Sequence, residues 1–176
     1  PNCLVIVATI RALKMHGGVA KEDRKKEDIN ALKKGLVNLE RHISNIKKFG
    51  LEPIIAINHF ALDTNKEVNT VLNFCKEKKV EVSECKHWAK GVKVTRDHAK
   101  KIVKICKKKK NKSTFKFLYK DNLKLWDKIS LIAKEIYRAD KITANEDVKE
   151  KLKFFENNGH GHLPVCIAKT QYSFST

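Results

Sequence analysis

No stretch of this 176-residue chain is apolar for long enough to cross a bilayer, and its first residues lack the pattern of a secretory leader. There is no CxxC pair among the five cysteines, Cys3, Cys75, Cys85, Cys106 and Cys166, so a metal cluster built on paired thiols is excluded. Arginine is scarce: only five of the 38 basic side chains are Arg, against a formal net charge of +18. Proteins that read nucleic-acid bases rely on the bidentate guanidinium, so this basic surface gives such a reading little support. No internal repeat is present. What the charge does indicate is attraction to anions: nucleic acid, anionic membrane, nucleotide phosphates or a polycarboxylate cofactor. Much of the lysine and asparagine excess reads as compositional drift.

With 41% hydrophobic residues the chain is long enough to bury a core. Both ends read as cut, since position 1 runs straight into CLVIVAT and the last residues, TQYSFST, stop without a terminating element; a piece of a longer chain is expected. An odd number of cysteines on apolar strand-like runs (Cys3, Cys166) and helix faces (Cys75, Cys106) predicts buried, reduced thiols in a cytosol-like compartment.

The chain is organised around Pro53–Thr64, PIIAINHFALDT. Ile54-Ile55-Ala56-Ile57 has apolar side chains at successive positions, as in a parallel strand covered on both faces. Cys3–Thr9 reads as a second fully buried strand, followed by a loop over Ile10–Gly18 and a charged loop over Val19–Glu27. Ile29, Leu32, Leu36, Leu39, Ile43 and Ile46 recur at helical spacing up to Phe49, with Gly50 as cap. The capping box Thr64-x-x-Glu67 opens the next helix, with Val68, Val71, Leu72 and Cys75 on its apolar face. A strand over Val80–Cys85 follows, then a helix with Ala99, Ile102, Val103 and Cys106 inward. This β-α-β-α-β-α order predicts an α/β fold, doubly wound, with a mostly parallel sheet flanked by helices.

Residues 1–106 are expected to form that core and 107–121 a basic connector. Residues 122–176 are expected to make a helical excursion returning to a final strand. Within it, a helix from about Asn122 carries Trp126, Ile129, Ala133 and Ile136. A shorter one spans Asn145–Phe155, and the last strand is Leu163–Ala168, leading to Lys169-Thr170-Gln171. The run Lys107–Lys112 reads as a solvated loop rather than a nuclear-localisation or RNA patch.

Ligands of open α/β sheets bind beyond the carboxyl ends of the strands, which here carry RALKMHGG, NHFALD and HWAKG. Asn58 and Asp63 offer a carboxamide and a carboxylate for the edge of a nucleotide base; by pattern alone a turn cap and a helix start account for them better. Phe60 and Trp88, each in a loop after a strand, can sandwich a flat ring or simply plug the end of the sheet. Arg11, Lys14 and His16 precede Gly17 and Gly18, cations and open backbone that suit phosphate or carboxylate; a tight turn among solvated charges is the alternative. Lys90 and Gly91 repeat that signal after Trp88. His160 and His162 have no further ligands nearby, so a surface turn is read there and no metal site.

Taken in order along nearly the whole chain, these strings resemble one family, formate–tetrahydrofolate ligase. They are VIVATIRALKMHGG, NLERHISNIKKFGLEPIIAIN, Phe60 with Asp63-Thr64, HWAKG, FKFLY, KISLIAKEIYRAD and LPVCIAKTQYSFS. The resemblance implies an incomplete P-loop NTPase-like core and the central part of an ATP-dependent ligase of one-carbon metabolism and tetrahydrofolate interconversion. In such enzymes ATP phosphorylates formate, and a folate nitrogen attacks the formyl phosphate to give formyltetrahydrofolate. It further implies ATP with Mg2+ and tetrahydrofolate as ligands, and a cytoplasmic or organellar setting. The remainder of the enzyme's own chain is an implied partner, with a homo-oligomer as an option and no membrane or nucleic-acid partner.

By resemblance Phe60 and Trp88 fall on the pair that sandwiches the pterin, and Asn58 and Asp63 near the nucleotide pocket. Arg11, Lys14, His16, Gly17, Gly18, Lys90 and Gly91 fall in the active-site vicinity, with no catalytic step assigned to any of them. The chain departs from the family pattern in several places. No G-x-x-x-x-G-K-S/T occurs, so the cradle for ATP phosphates is missing and the chain alone is expected to be inactive. Val92 and Val94 stand where glycines usually follow WAKG, and Ala61 where proline commonly follows the first aromatic. A non-catalytic folate- or nucleotide-binding remnant is the main alternative, and a basic nucleic-acid-binding module a weaker one.

Overall fold

The computed structural model describes residues 1–86, 92–108 and 114–168. The chain divides into two compact units, Pro1–Lys116 and Phe117–Thr176. In the first, β1 (Leu4–Ala8), β2 (Pro53–Asn58) and β3 (Glu81–Cys85) form a parallel sheet in the order β1-β2-β3. The register runs from Leu4 opposite Pro53 to Ala8 opposite Ile57, and from Ile54 opposite Glu81 to Asn58 opposite Cys85. The connecting helices are α1 (Ile10–His16), α2 (Ile29–Lys48), α3 (Asn65–Glu77) and α4 (Val92–Lys108), with a 3-10 turn at Asp23–Lys25. The α/β architecture with a parallel sheet is the one the apolar runs predict.

β2 is buried along Pro53–Ile57, as its unbroken apolar run requires. Ile55 and Ile57 join Ala8, Leu13, Leu32, Leu36, Leu39, Ile43, Val68, Val71 and Cys75 in one core cluster. Losing one of these leucines to alanine would cost about 2–5 kcal/mol. Burial pushes the Cys75 thiol up to about 11. α2 starts where Asp28 accepts the Ala31 N–H at 2.8 Å and ends at Phe49, with Gly50 in the left-handed region at φ 71°. At α3 the capping box is complete, Thr64 and Glu67 each accepting the other's backbone N–H.

Four expectations are corrected in this unit. β1 is buried on one side only: Ile6 and Ala8 face the core, while Val5 is 37% and Val7 66% exposed. It is an edge strand, and the helices against the core cluster lie over its other face. Ile10–Gly18 is not a loop. Thr9 accepts the Ala12 N–H at 3.1 Å and starts α1, whose Ile10, Leu13 and Lys14 are buried at helical spacing. On α4, Ala99 and Val103 are exposed and the half-buried face carries His98, Lys101, Ile102, Ile105 and Cys106. The stem of Lys101 covers apolar surface while its ammonium donates to the Val82 carbonyl at 2.7 Å, which rolls the helix away from the purely apolar stripe. Buried thiols are found at Cys75 and Cys85; Cys3 and Cys106 are half-buried, and all five cysteines are free. Phe115 closes the unit by stacking on Phe49, ring centres 6.3 Å apart.

The second unit holds α5 (Leu125–Tyr137), α6 (Glu146–Phe155) and a π turn at Glu156–His160. α5 begins three residues later than expected, because the Glu156 carboxylate accepts the Leu125 N–H at 2.7 Å and fixes the first turn there. Lys128 is completely buried, donating to the carbonyls of Gly161 (2.8 Å) and Leu163 (3.0 Å). The expected strand Leu163–Ala168 is not formed among the described residues, and Cys166 in it is exposed. Among the described residues of this unit it has no neighbouring strand; instead the Tyr119 hydroxyl accepts the Val165 N–H at 2.8 Å. His160 and His162 lie exposed in a turn, with His162 Nδ1 2.8 Å from the Gly159 carbonyl. Among the described residues no helix is long and apolar enough to span a membrane, and no group of His, Cys, Asp and Glu could hold a metal ion.

Candidate active site

The site is built at the carboxyl ends of β1 and β2. β2 delivers Asn58, His59 and Phe60 in succession, and β1 passes through Thr9 into the first turn of α1, which carries Arg11. The Arg11 guanidinium carbon lies 4.5 Å from the centre of the Phe60 ring, stacking a cation on one aromatic face. The Arg11 Nε is buried and has no hydrogen-bond partner among the described residues. A buried donor left unmade costs about 1–3 kcal/mol, so an acceptor supplied by a ligand beside Phe60 would recover that loss.

The turn that presents Phe60 is closed twice. Asp63 Oδ2 accepts the Phe60 N–H at 2.8 Å, and the Asp63 N–H donates to the Phe60 carbonyl at 3.0 Å. Asp63 is 8% exposed, so its carboxylate braces the aromatic. Next to it His59 is buried; its N–H donates to the Cys85 carbonyl at 3.1 Å and its Nδ1 lies 2.5 Å from Glu84 Oε1. Lys86 reaches the same oxygen at 2.9 Å. Burial pushes the Glu84 carboxyl up, but Lys86 and His59 together outweigh it and hold the group below the usual carboxylate range.

A family model described as formate–tetrahydrofolate ligase matches residues 1–176. The chain belongs to that family. Among curated relatives of that name, the protein of Pelagibacter ubique is 55% identical over the whole chain, that of Hyphomonas neptunium 49% and that of Rhizobium rhizogenes 47%. In each case the match takes in 31% of the relative, so the chain spans about a third of the length of the ligases it resembles.

The residues expected to surround the ligand of a formate–tetrahydrofolate ligase divide into several groups. Arg11 and Phe60 are brought together, with Asp63 behind them and Asn58 at the end of β2. Lys14 is withdrawn: it is 1% exposed, its ammonium pairs with Glu67 at 2.6 Å and donates to the Lys26 carbonyl at 2.6 Å. His16 is exposed at the end of α1. Gly17 serves packing rather than ligand approach, since a Cβ there would fall 1.8 Å from the Ala31 carbonyl oxygen of α2. Gly35 makes the reciprocal approach, since a Cβ there would fall 1.8 Å from the Leu13 carbonyl oxygen. Gly18 ends the helix at φ 100°, a conformation that favours glycine. Trp88, Lys90 and Gly91 lie outside the described residues, and so do Lys169, Thr170 and Gln171.

Two residues under this site are absent from the sequence-based set. Glu67 is completely buried and collects Lys14, the Thr64 N–H at 3.0 Å and the Asp28 N–H at 3.3 Å, joining the starts of α2 and α3 to α1. Its capping-box position signals one of those bonds only. Glu84, which holds His59, has no signal beyond its place in β3.

Proposed function

We propose that this chain supplies the folate-facing wall of an enzyme that joins formate to tetrahydrofolate at the expense of ATP. The observation that carries the reading is the Arg11–Phe60 stack at the carboxyl end of β2, in a chain of this family. One face of Phe60 lies under the guanidinium, which leaves the other for a flat heterocycle; the family resemblance assigns the second ring to Trp88. A pterin between two such rings gains apolar burial and offset stacking. Arg11, on the opposite face of the ring, fixes the orientation in which Phe60 meets the ligand. Asn58 and the turn braced by Asp63 form the side nearer the nucleotide. The surplus of lysine, with net charge +18, suits the anionic tail of folate and the phosphates of ATP.

In the proposed reaction a formate oxygen attacks the γ-phosphorus of ATP, and ADP departs. The folate nitrogen then attacks the formyl carbon, and phosphate leaves carrying the formate oxygen. Mg2+ would balance the phosphate charge. The phosphate cradle is not encoded in these residues, so the 176-residue chain alone is inactive as a ligase. In the full-length protein, formate labelled with oxygen-18 is expected to yield phosphate bearing one label per turnover. Unlabelled phosphate alongside formyltetrahydrofolate would overturn the route through formyl phosphate. Failure to form formyltetrahydrofolate at all would favour the non-catalytic binding remnant.

A further inference from the structure

The second unit contains a cavity of about 390 Å3 that the folate and nucleotide reading does not use. It is lined by Lys124, Trp126, Lys149, Leu152, Lys153 and Glu156. We propose that it is a binding site for a flat aromatic ring carrying an anionic group.

The ring is argued from the floor. Trp126, on the first turn of α5, and Leu152, on α6, are both half-buried and give the cavity an apolar base. An indole with one face open is a stacking platform. The charge is argued from the rest of the lining, three lysines against one glutamate. That carboxylate is already engaged, since Glu156 accepts the Leu125 N–H at 2.7 Å. Lys149 is also paired, its Nζ 2.6 Å from Glu146 Oε1. Lys124 and Lys153 form no ion pair within 4 Å among the described residues, although Lys153 adds to the field that lowers the Glu146 carboxyl. They come from different elements, Lys124 just before α5 and Lys153 on the last turn of α6, and both line the cavity with Trp126. The volume falls in the range for small molecules, so a polymer groove is not indicated.

The test uses full-length protein and 1-naphthyl phosphate, with 1-naphthol (ring without charge) and inorganic phosphate (charge without ring) as controls. The signal is the Trp126 contribution to fluorescence, read as the difference between the protein and its Trp126→Phe variant, which also removes any effect of ligand at the folate or ATP sites. Saturable quenching by 1-naphthyl phosphate is expected, with each control binding at least tenfold more weakly. Lys153→Glu, an exposed substitution outside the apolar floor, should weaken the aryl phosphate at least tenfold and leave 1-naphthol unchanged. Equal binding of naphthol and its phosphate would reduce the cavity to an apolar patch. An unaltered affinity in Lys153→Glu, or quenching with no Trp126 component, would equally overturn the assignment.

Discussion

Arg11 and Lys14 leave the same short helix one turn apart, and the two regions they enter could hardly differ more. Arg11 lies over Phe60 at the mouth of the sheet, with a buried Nε that has no partner among the described residues. Lys14 sinks beneath it into a closed junction with Glu67, both side chains at 1% exposure or less. Residue type does not distinguish them. Depth along α1 does: the first turn ends at the strand exits, whereas the second lies between α2 and α3, where an ammonium survives only if paired. A basic motif at a strand exit therefore contains one cation at the mouth of the sheet and one buried in the fold.

The largest effect expected from this contrast is at the junction. Glu67→Leu alone strands the Lys14 ammonium in the interior and should cost about 3–5 kcal/mol in urea unfolding of the full-length protein. Lys14→Met with Glu67→Leu should recover most of that loss. Single variants within about 1 kcal/mol of the parent would show that the junction is open to water.

Next comes the helix contact that sets the depth of α1. Gly17→Ala drives a methyl into the Ala31 carbonyl oxygen and should destabilise by about 1–3 kcal/mol, pushing α1 outward. A neutral result would mean that α1 is free to shift. Arg11→Met should then change stability by no more than about 1 kcal/mol, the worth of an exposed cation–π contact, while lowering folate affinity. Loss of stability on the scale of Glu67→Leu would erase the distinction between the two regions.

The smallest effect concerns pH. Glu84 has its folded-state value held below the ordinary 4.5, so the stability it contributes is present above the unfolded value and is lost as pH falls through the folded one. The gap in urea midpoint between the parent and Glu84→Gln should therefore narrow between about pH 6 and pH 3. A gap that widens on acidification would reverse the sign of the His59 and Lys86 interactions.

Much of the first unit was legible in the chain. β2 announces itself by apolar side chains at successive positions, α2 by its period and α3 by its capping box. α1 was not, because seven residues opened by a threonine and closed by two glycines look like a ligand loop until the cap and the buried Ile10–Leu13–Lys14 face are seen together. β1 misleads for a different reason: a strand apolar on both sides carries no mark of which side is covered. In the site, Phe60 and Arg11 were named separately, but their stacking depends on the turn that Asp63 closes, which spacing does not encode. Lys128 carries no signal of its place in the sequence, yet two backbone carbonyls hold it in the interior of the second unit.

The central claim is that Phe60 is a wall of the folate slot and not part of the core. Paired affinities for tetrahydrofolate and ATP in full-length Phe60→Ala measure this most directly. The account predicts a fall of tenfold or more for the folate, about 1.4 kcal/mol, with ATP affinity within about twofold of the parent. Equal losses for both ligands, or an unchanged folate affinity, would contradict it.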